Sequence, residues 1–168
     1  KVNVSLHQGS PDQVARMVLD EVAEIGIATE SLADYPDLVT LPCYEWQHVL
    51  VLPKDHPLAE KERVSLEDLA HEPIITYHPS FTGRTRIDHA FANKKLTPRI
   101  ALEAIDSDVI KTYVRLGLGV GIVAEMAVRD DSNADLVVRP MGHVFGQNIA
   151  RVAFKRSAYL RNFVFKFA

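Results

Sequence analysis

Residues 105–124 read IDSDVIKTYVRLGLGVGIVA. Asp106, Ser107 and Asp108 are three small polar residues set just before an apolar series, the pattern of a helix start with Asp106 or Ser107 as N-cap. Val109, Ile110, Tyr113 and Val114 recur at helical spacing while Lys111, Thr112 and Arg115 turn away, which predicts an amphipathic helix. Gly117 is expected to end it, Gly119 and Gly121 to supply a tight reversal, and Val120 to Ala124 to form a buried strand. The order is helix, glycines, strand. A dinucleotide loop needs strand, glycines, helix, because its glycines bring backbone amides to a pyrophosphate at a helix N-terminus, so G-L-G-V-G is read as a structural turn. At the other end of the helix, the free N–H groups at Asp106 and Ser107 face either a ligand or solvent.

Upstream of this stretch, Pro98 to Leu102 and Pro73 to Tyr77 read as strands. Between them HPSFTG, residues 78–83, is a turn-rich loop that leads into a helix with Ile87, Ala90 and Phe91 on its inner face. Thr82 is its expected N-cap, and its hydroxyl either completes that helix or, with the amides that follow, holds an anion. Ser65 and Asp68 pair as a capping box, with Val64 and Leu69 as a hydrophobic staple. Leu38 to Tyr44 and Trp46 to Leu52 form one long strand path, long enough to carry the chain from one lobe into another. Trp46 sits at the crossing, as an ordinary core residue or as a ligand contact.

Toward the N-terminus, Val2, Val4 and Leu6 alternate with polar residues as in a half-buried strand. Ser10, Pro11 and Gln13 supply an N-cap, an N1 proline and a capping-box glutamine. AEIGIAT, residues 23–29, has the pattern of a parallel strand and completes a βαβ unit. Its carboxyl end delivers Thr29 and Glu30, and in open α/β sheets ligands bind beyond the carboxyl ends of strands, although Thr29 could equally cap a turn. Downstream, Leu136 to Arg139 and Ile149 to Phe154 are strands, and Tyr159, Phe163, Val164 and Phe167 line a final helix. The expected fold is α/β with two subdomains and a ligand cleft between lobes: residues 1–44 plus 146–168 form the first, incomplete at its N-terminus, and 45–145 the second. Thr29 from one lobe, with Thr82 and the amides at Asp106 and Ser107 from the other, would point into one cleft.

Charge is nearly balanced, 19 basic against 22 acidic residues, and no run of Lys and Arg exceeds two, so nothing resembles a nucleic-acid surface. Hydrophobic residues make up 47%, enough for a core. Among seven histidines none pair at i, i+4, and Cys43 with His48 is the one close Cys/His pair, so no metal is expected. Cys43, the single cysteine, is read as a small buried thiol in a strand and excludes an internal disulfide. There is no GxSxG elbow and no Walker loop. Glu30, Asp106 and Asp108 are read as solvated or capping carboxylates rather than an acid/base pair. No catalytic residue and no cofactor is expected. No apolar run reaches the roughly 20 residues of a membrane span, and the opening KVNVSLH carries no signal-peptide pattern, so the chain reads as an excerpt of a longer protein.

SLHQGSP at 5–11, GIATE at 26–30, LPCYEW at 41–46, FTGRTRID at 81–88 and DSDVIKTYVRLGLGVGIVA at 106–124 together resemble the CysB-like LysR-type transcriptional regulators, over nearly the whole chain. The resemblance implies an effector-binding module similar in fold to type 2 periplasmic binding proteins. In such proteins it follows a winged helix-turn-helix and a linker helix, which this chain does not contain. It implies an acetylserine-type inducer or a sulfate-like anion in the cleft. Thr29 and Thr82 would donate to it, with Glu30, Trp46, Phe81 and Gly83 nearby. Further anion donors of the family lie on a strand-to-helix turn that precedes Lys1. Homodimers or homotetramers, DNA as a partner through the absent head, and a cytoplasmic location follow from the same resemblance. The alternative is an exported solute-binding protein for sulfate or a related anion, and a third reading is an enzyme acting on an acetylated amino acid.

Overall fold

The computed structural model describes residues 3–81, 83–129 and 134–159. They group into two compact units, one from the residues up to 45 with those from 148 onward, the other from residues 46–147.

In the first unit, α1 (Pro11–Leu19) starts as the sequence predicts. Ser10 N donates to Gln13 Oε1 at 2.8 Å and Gln13 N to Ser10 Oγ at 3.4 Å, so two otherwise orphaned amides are satisfied reciprocally. Its inner residues Ala15 and Val18 pack with Leu32, Leu38 and Ala153 into a small core. Strand β1 (Gly26–Thr29) follows, then a 3-10 turn over Glu30–Asp34 and the 16-residue β2 (Leu38–Pro53). Late in the chain, β7 (Gln147–Lys155) runs between β1 and β2.

Three expectations for this unit are corrected. The strand at 26–29 is antiparallel to β7, with Thr29 opposite Ala150, so it is not half of a parallel βαβ unit. Residues 3–8 take no regular structure and Val4 and Leu6 are exposed, because alternation makes a strand only where a neighbour accepts its ladder bonds. Cys43 is exposed, lying in the run from Leu41 to Glu45 where β2 is uncovered. The helix expected at 159–167 lies outside the described residues.

The second unit is a sheet with helices on both faces. Beyond Glu45, β2 becomes buried and is antiparallel to β5 (Val120–Ala124) and to β6 (Leu136–Pro140). Strand β3 (Pro73–Tyr77) is parallel to both β5 and β4 (Arg99–Ala104). Alternation along β2 sends Leu50 and Leu52 to one face, packed with Ile87 and Phe91 of α3 (Arg84–Asn93), Leu66 and Leu69 of α2 (Leu66–Ala70) and Phe145 of α5 (Gly142–Phe145). Val49 and Val51 go to the other face with Ile110 and Val114 of α4 (Ser107–Arg115). Both faces are covered, so β2 and β3 read as continuous apolar runs rather than as alternation. No helix among the described residues is long and apolar enough to cross a membrane.

The decisive stretch forms α4 and β5, with Asp106 as N-cap. Leu118 N donates to Tyr113 O and Gly117 N to Val114 O, and Gly117 at φ +73° takes the left-handed position that closes a Schellman cap. Two details differ from expectation. Gly121 lies inside β5 rather than in the reversal, where a Cβ would come within 2.4 Å of Val51 Cγ2. Lys111, expected on the outer face, is buried; its ammonium donates to Ala127 O at 2.7 Å and pairs with Asp108 at 2.8 Å.

At the start of α2, Lys61 Nζ donates to both Asp68 oxygens at 2.6 and 2.7 Å and Ser65 N donates to Asp68 Oδ2 at 2.8 Å. The Lys61 hydrogen bond first, then the Ser65 amide, hold the Asp68 carboxyl at about 2. A carboxyl depressed from its unfolded value of about 4 adds stability that is complete above that value and lost as pH falls toward the folded one. The stability gap between wild type and Asp68→Asn, from urea melts, is therefore expected to be full near neutrality and to close between about pH 4 and 2. A Cβ on Gly119 would stand 2.3 Å from Pro73 O, a backbone atom that cannot swing aside. Gly119→Ala is expected to cost roughly 1–3 kcal/mol in the same assay.

Candidate functional site

In the second unit the carboxyl ends of the parallel strands β3, β4 and β5 lie on one edge; β3 and β4 are followed by polar turns and β5 by a 3-10 turn over Glu125–Val128. Four of the residues singled out from the sequence are on those turns or in the helices they open: Phe81 and Gly83 after β3, Asp106 and Ser107 after β4. Trp46 joins the same edge, since β2 is antiparallel to β5 with His48 opposite Ala124, which places Trp46 beyond the end of β5.

Tyr77, the last residue of β3, ties this edge together. Its hydroxyl is 2.7 Å from Ser107 Oγ and accepts from Ala124 N at 2.9 Å, so the ends of β3 and β5 and the start of α4 share one oxygen. Burial, more than any neighbour, pushes its phenol above the usual range. Arg84 is the second tie. It donates to Tyr77 O at 2.8 Å, Glu103 Oε1 at 2.7 Å and Asp88 Oδ1 at 2.8 Å. Burial alone would lower its pKa, but its hydrogen bonds to the Asp88 and Glu103 carboxylates outweigh it and hold the guanidinium firmly charged. Its charge is matched by these carboxylates, and its role is to fix the start of α3.

The turn before α3 is shaped by a close approach. Gly83, not Thr82, is the N-cap of α3, at φ +91° and without a side-chain cap bond; Thr82 itself lies outside the described residues. A Cβ on Gly83 would lie 2.5 Å from His48 Nε2 and 3.3 Å from Trp46 Cη2. The fully buried His48 meets Trp46 edge to face at 5.0 Å between centroids and Phe145 at 5.6 Å. Trp46, His48 and Gly83 thus form a packed floor under the turn that carries Phe81. Phe81 itself packs toward the α4 side of the sheet.

Asp106 takes the N-cap position that the sequence predicts for it or for Ser107. The Asp106 carboxylate accepts from Asp108 N at 2.6 Å, so it caps α4, and the Ser107 hydroxyl is engaged by Tyr77. In the first unit, Thr29 ends β1 and its Oγ1 is buried with no hydrogen-bond partner among the described residues. Glu30 begins the 3-10 turn that follows. Sequence reading missed His48, Tyr77 and Arg84. His48 had a signal, since it alternates in phase with Trp46 and Leu50 along β2; Tyr77 and Arg84 depend on neighbours 30 and 19 residues away. Among the described residues no group of His, Cys, Asp and Glu could hold a metal ion. A cavity of about 300 Å³ lined by Arg63, Leu66, Lys94 and His143 touches none of the expected residues.

A sheet with helices on both faces, a polar edge at the ends of its parallel strands and a second α/β unit joined through β2 define a class of two-lobed binding modules. The family model for the LysR substrate binding domain matches residues 1–167, and the chain belongs to that family, with its periplasmic-binding-protein-like two-lobe fold. It is 54% identical to the HTH-type transcriptional regulator CysB of Burkholderia cenocepacia over 98% of this chain and 53% of that protein. It is 48% identical to the regulator SsuR of the same organism, over 99% of this chain and 54% of that protein. Among solved structures, the cofactor-binding domain of the Cbl transcriptional regulator superposes with a TM-score of 0.89 at 44% identity, over 96% of this chain and 71% of that one. The chain spans about half the length of the curated relatives it matches. These relatives are transcriptional regulators rather than enzymes, and they do not support the reading as an exported solute-binding protein.

Gly83→Ala adds a Cβ against His48 in a left-handed backbone and is expected to cost about 1–3 kcal/mol. Because Trp46 is the only tryptophan, the same substitution is expected to shift its fluorescence emission, while Gly117→Ala, whose Cβ would meet nothing within 4 Å, leaves that emission unchanged.

Proposed function

We propose that this chain is the ligand-sensing part of a cytoplasmic LysR-type regulator of sulfur assimilation and cysteine biosynthesis genes, and that it binds an acetylserine-type inducer or a sulfate-like anion. The observation that carries the reading is the Thr29 hydroxyl, a buried oxygen without a partner among the described residues at the carboxyl end of a strand. A buried polar group left unpaired costs about 1–3 kcal/mol, and an anionic guest at that position would accept a hydrogen bond from it. Similarity to CysB, SsuR and the Cbl cofactor-binding domain supports a sulfur-related regulator, and the ligand class is the one the sequence resemblance implies.

Thr29 and Thr82 are the proposed hydroxyl donors from the two units, with Glu30, Trp46, Phe81 and Gly83 shaping the surroundings. Asp106 and Ser107 are proposed to offer their backbone amides, since their side chains are committed to the α4 cap and to Tyr77. A ligand held from both units favours one arrangement of them and, through paired subunits in a homodimer or homotetramer, the placement of DNA-binding heads. A 100-fold preference supplies about 2.7 kcal/mol of bias, enough to shift promoter occupancy without an absolute switch.

The test is thermal melting of the full-length protein with N-acetylserine, O-acetylserine, sulfate and thiosulfate. At 100 times its dissociation constant the effector is expected to add about 2.7 kcal/mol of stability, and Thr29→Val, which keeps the shape and deletes the hydroxyl, to weaken binding about tenfold. A wild-type protein that responds to none of the four compounds overturns the reading.

A further inference from the structure

Thr29 has a counterpart on the neighbouring strand. In the antiparallel pair of β1 and β7, Ile27 lies opposite Val152 and Thr29 opposite Ala150. Opposed residues share a face of the sheet, and so do alternate residues along a strand, so Asn148, Ala150 and Val152 stand on the same face as Ile27 and Thr29. Helix α1 covers the other face, where a Cβ on Gly26 would come within 2.8 Å of Val14. Asn148 is therefore one step along the ladder from Ala150, beyond Thr29, at the end where β1 delivers its carboxyl terminus. It is completely buried, at 0% exposure, and neither its Oδ1 nor its Nδ2 has a hydrogen-bond partner among the described residues.

An isolated buried amide is a costly choice at a position where Leu would pack. Two unpartnered side chains, Thr29 and Asn148, on one face at successive positions of one ladder form a polar patch walled by Ala150 and Val152. We propose that Asn148 is a ligand-contacting and specificity-determining residue of the effector site; this rests on the reading that the effector binds at Thr29. The chemistry of the carboxamide sets what it selects. Nδ2 offers donors and Oδ1 an acceptor, so both ends are satisfied only by a guest that carries an acceptor and an N–H or O–H donor. An acylated amino acid carries both. A sulfate dianion carries acceptors alone, pairs with Nδ2 and leaves Oδ1 unpaired. Asn148 thus favours the acylated amino acid over the bare anion.

The experiment compares wild type, Asn148→Leu, Asn148→Asp and Thr29→Val in the full-length protein, with N-acetylserine and sulfate as probes by calorimetric titration, and with melting of the ligand-free protein. Asn148→Leu is expected to weaken N-acetylserine at least about tenfold and to change sulfate by a smaller factor. It is also expected to leave ligand-free melting unchanged or higher, because an apolar residue of similar size replaces unpaired polar atoms. Asn148→Asp is nearly isosteric and sets a carboxylate beside an anion, so it is expected to weaken sulfate more than tenfold. Two results overturn the proposal: Asn148→Leu lowers ligand-free stability and leaves N-acetylserine affinity intact, the mark of a structural amide, or Asn148→Asp binds sulfate as wild type does. If Thr29→Val loses affinity while the Asn148 variants do not, the site at Thr29 stands and Asn148 is outside it. If wild type binds neither probe, the effector reading fails first.

Discussion

One strand has to satisfy two sheets. Strand β2 runs without a break over 16 residues, pairing with β7 in the first unit and with β5 and β6 in the second. A backbone amide or carbonyl withdrawn from water must be bonded somewhere, so a strand of this length needs a partner along each part of its course. Its side chains record the hand-over. Leu38 belongs to the core of the first unit, Leu41 to Glu45 are exposed, and burial resumes abruptly at Trp46. From there alternate residues feed two cores on opposite faces of one sheet. The position of Trp46 is set by this resumption: it is the first residue after the exposed run whose side chain points toward α3 and α5.

The polar groups at the edge of the second unit are mostly committed to one another. Tyr77 takes Ser107 and the Ala124 amide, Asp106 takes the Asp108 amide, and Arg84 is matched by Asp88 and Glu103. Such bonds hold turns in place and leave little to offer a guest. In the first unit, the Thr29 hydroxyl and the Asn148 carboxamide are buried and have no hydrogen-bond partner among the described residues. The second unit has a packed cluster at this edge, fixed by Gly83, His48 and Trp46, and the first unit has two unpartnered polar side chains at the end of β1.

Local signals were legible in the sequence wherever one element decides its own ends. The Ser10 and Ser65 capping boxes, the Asp106 cap, the helix-to-strand turn at Gly117 and the long strand through Trp46 follow from spacing within a few residues. Pairing partners were not legible. The run at 23–29 has the composition of a parallel strand, yet its neighbour is a segment more than 120 residues away running in the opposite direction. Residues 3–8 alternate well and form no strand, and Lys111 looks exposed by charge yet reaches the carbonyl of Ala127. The site divides in the same way. Thr29 stands out in the sequence because strand ends are informative by themselves, whereas the surroundings of His48 and Asn148 depend on what they face, and a single sequence does not record facing.

The unpaired groups also bear on how a binding module can act as a switch. A ligand shifts an equilibrium only by the difference in its affinity for the two states, and one that binds both equally shifts nothing. Buried donors that lack partners raise the energy of the ligand-free protein, and a guest that completes their bonds recovers that energy in the state where it can reach them. An apolar residue at 148 would remove the penalty and with it part of the difference. Local rules of packing are broken most usefully where a second molecule can mend them, and the end of β1 is the place in the described residues where two such breaks stand side by side.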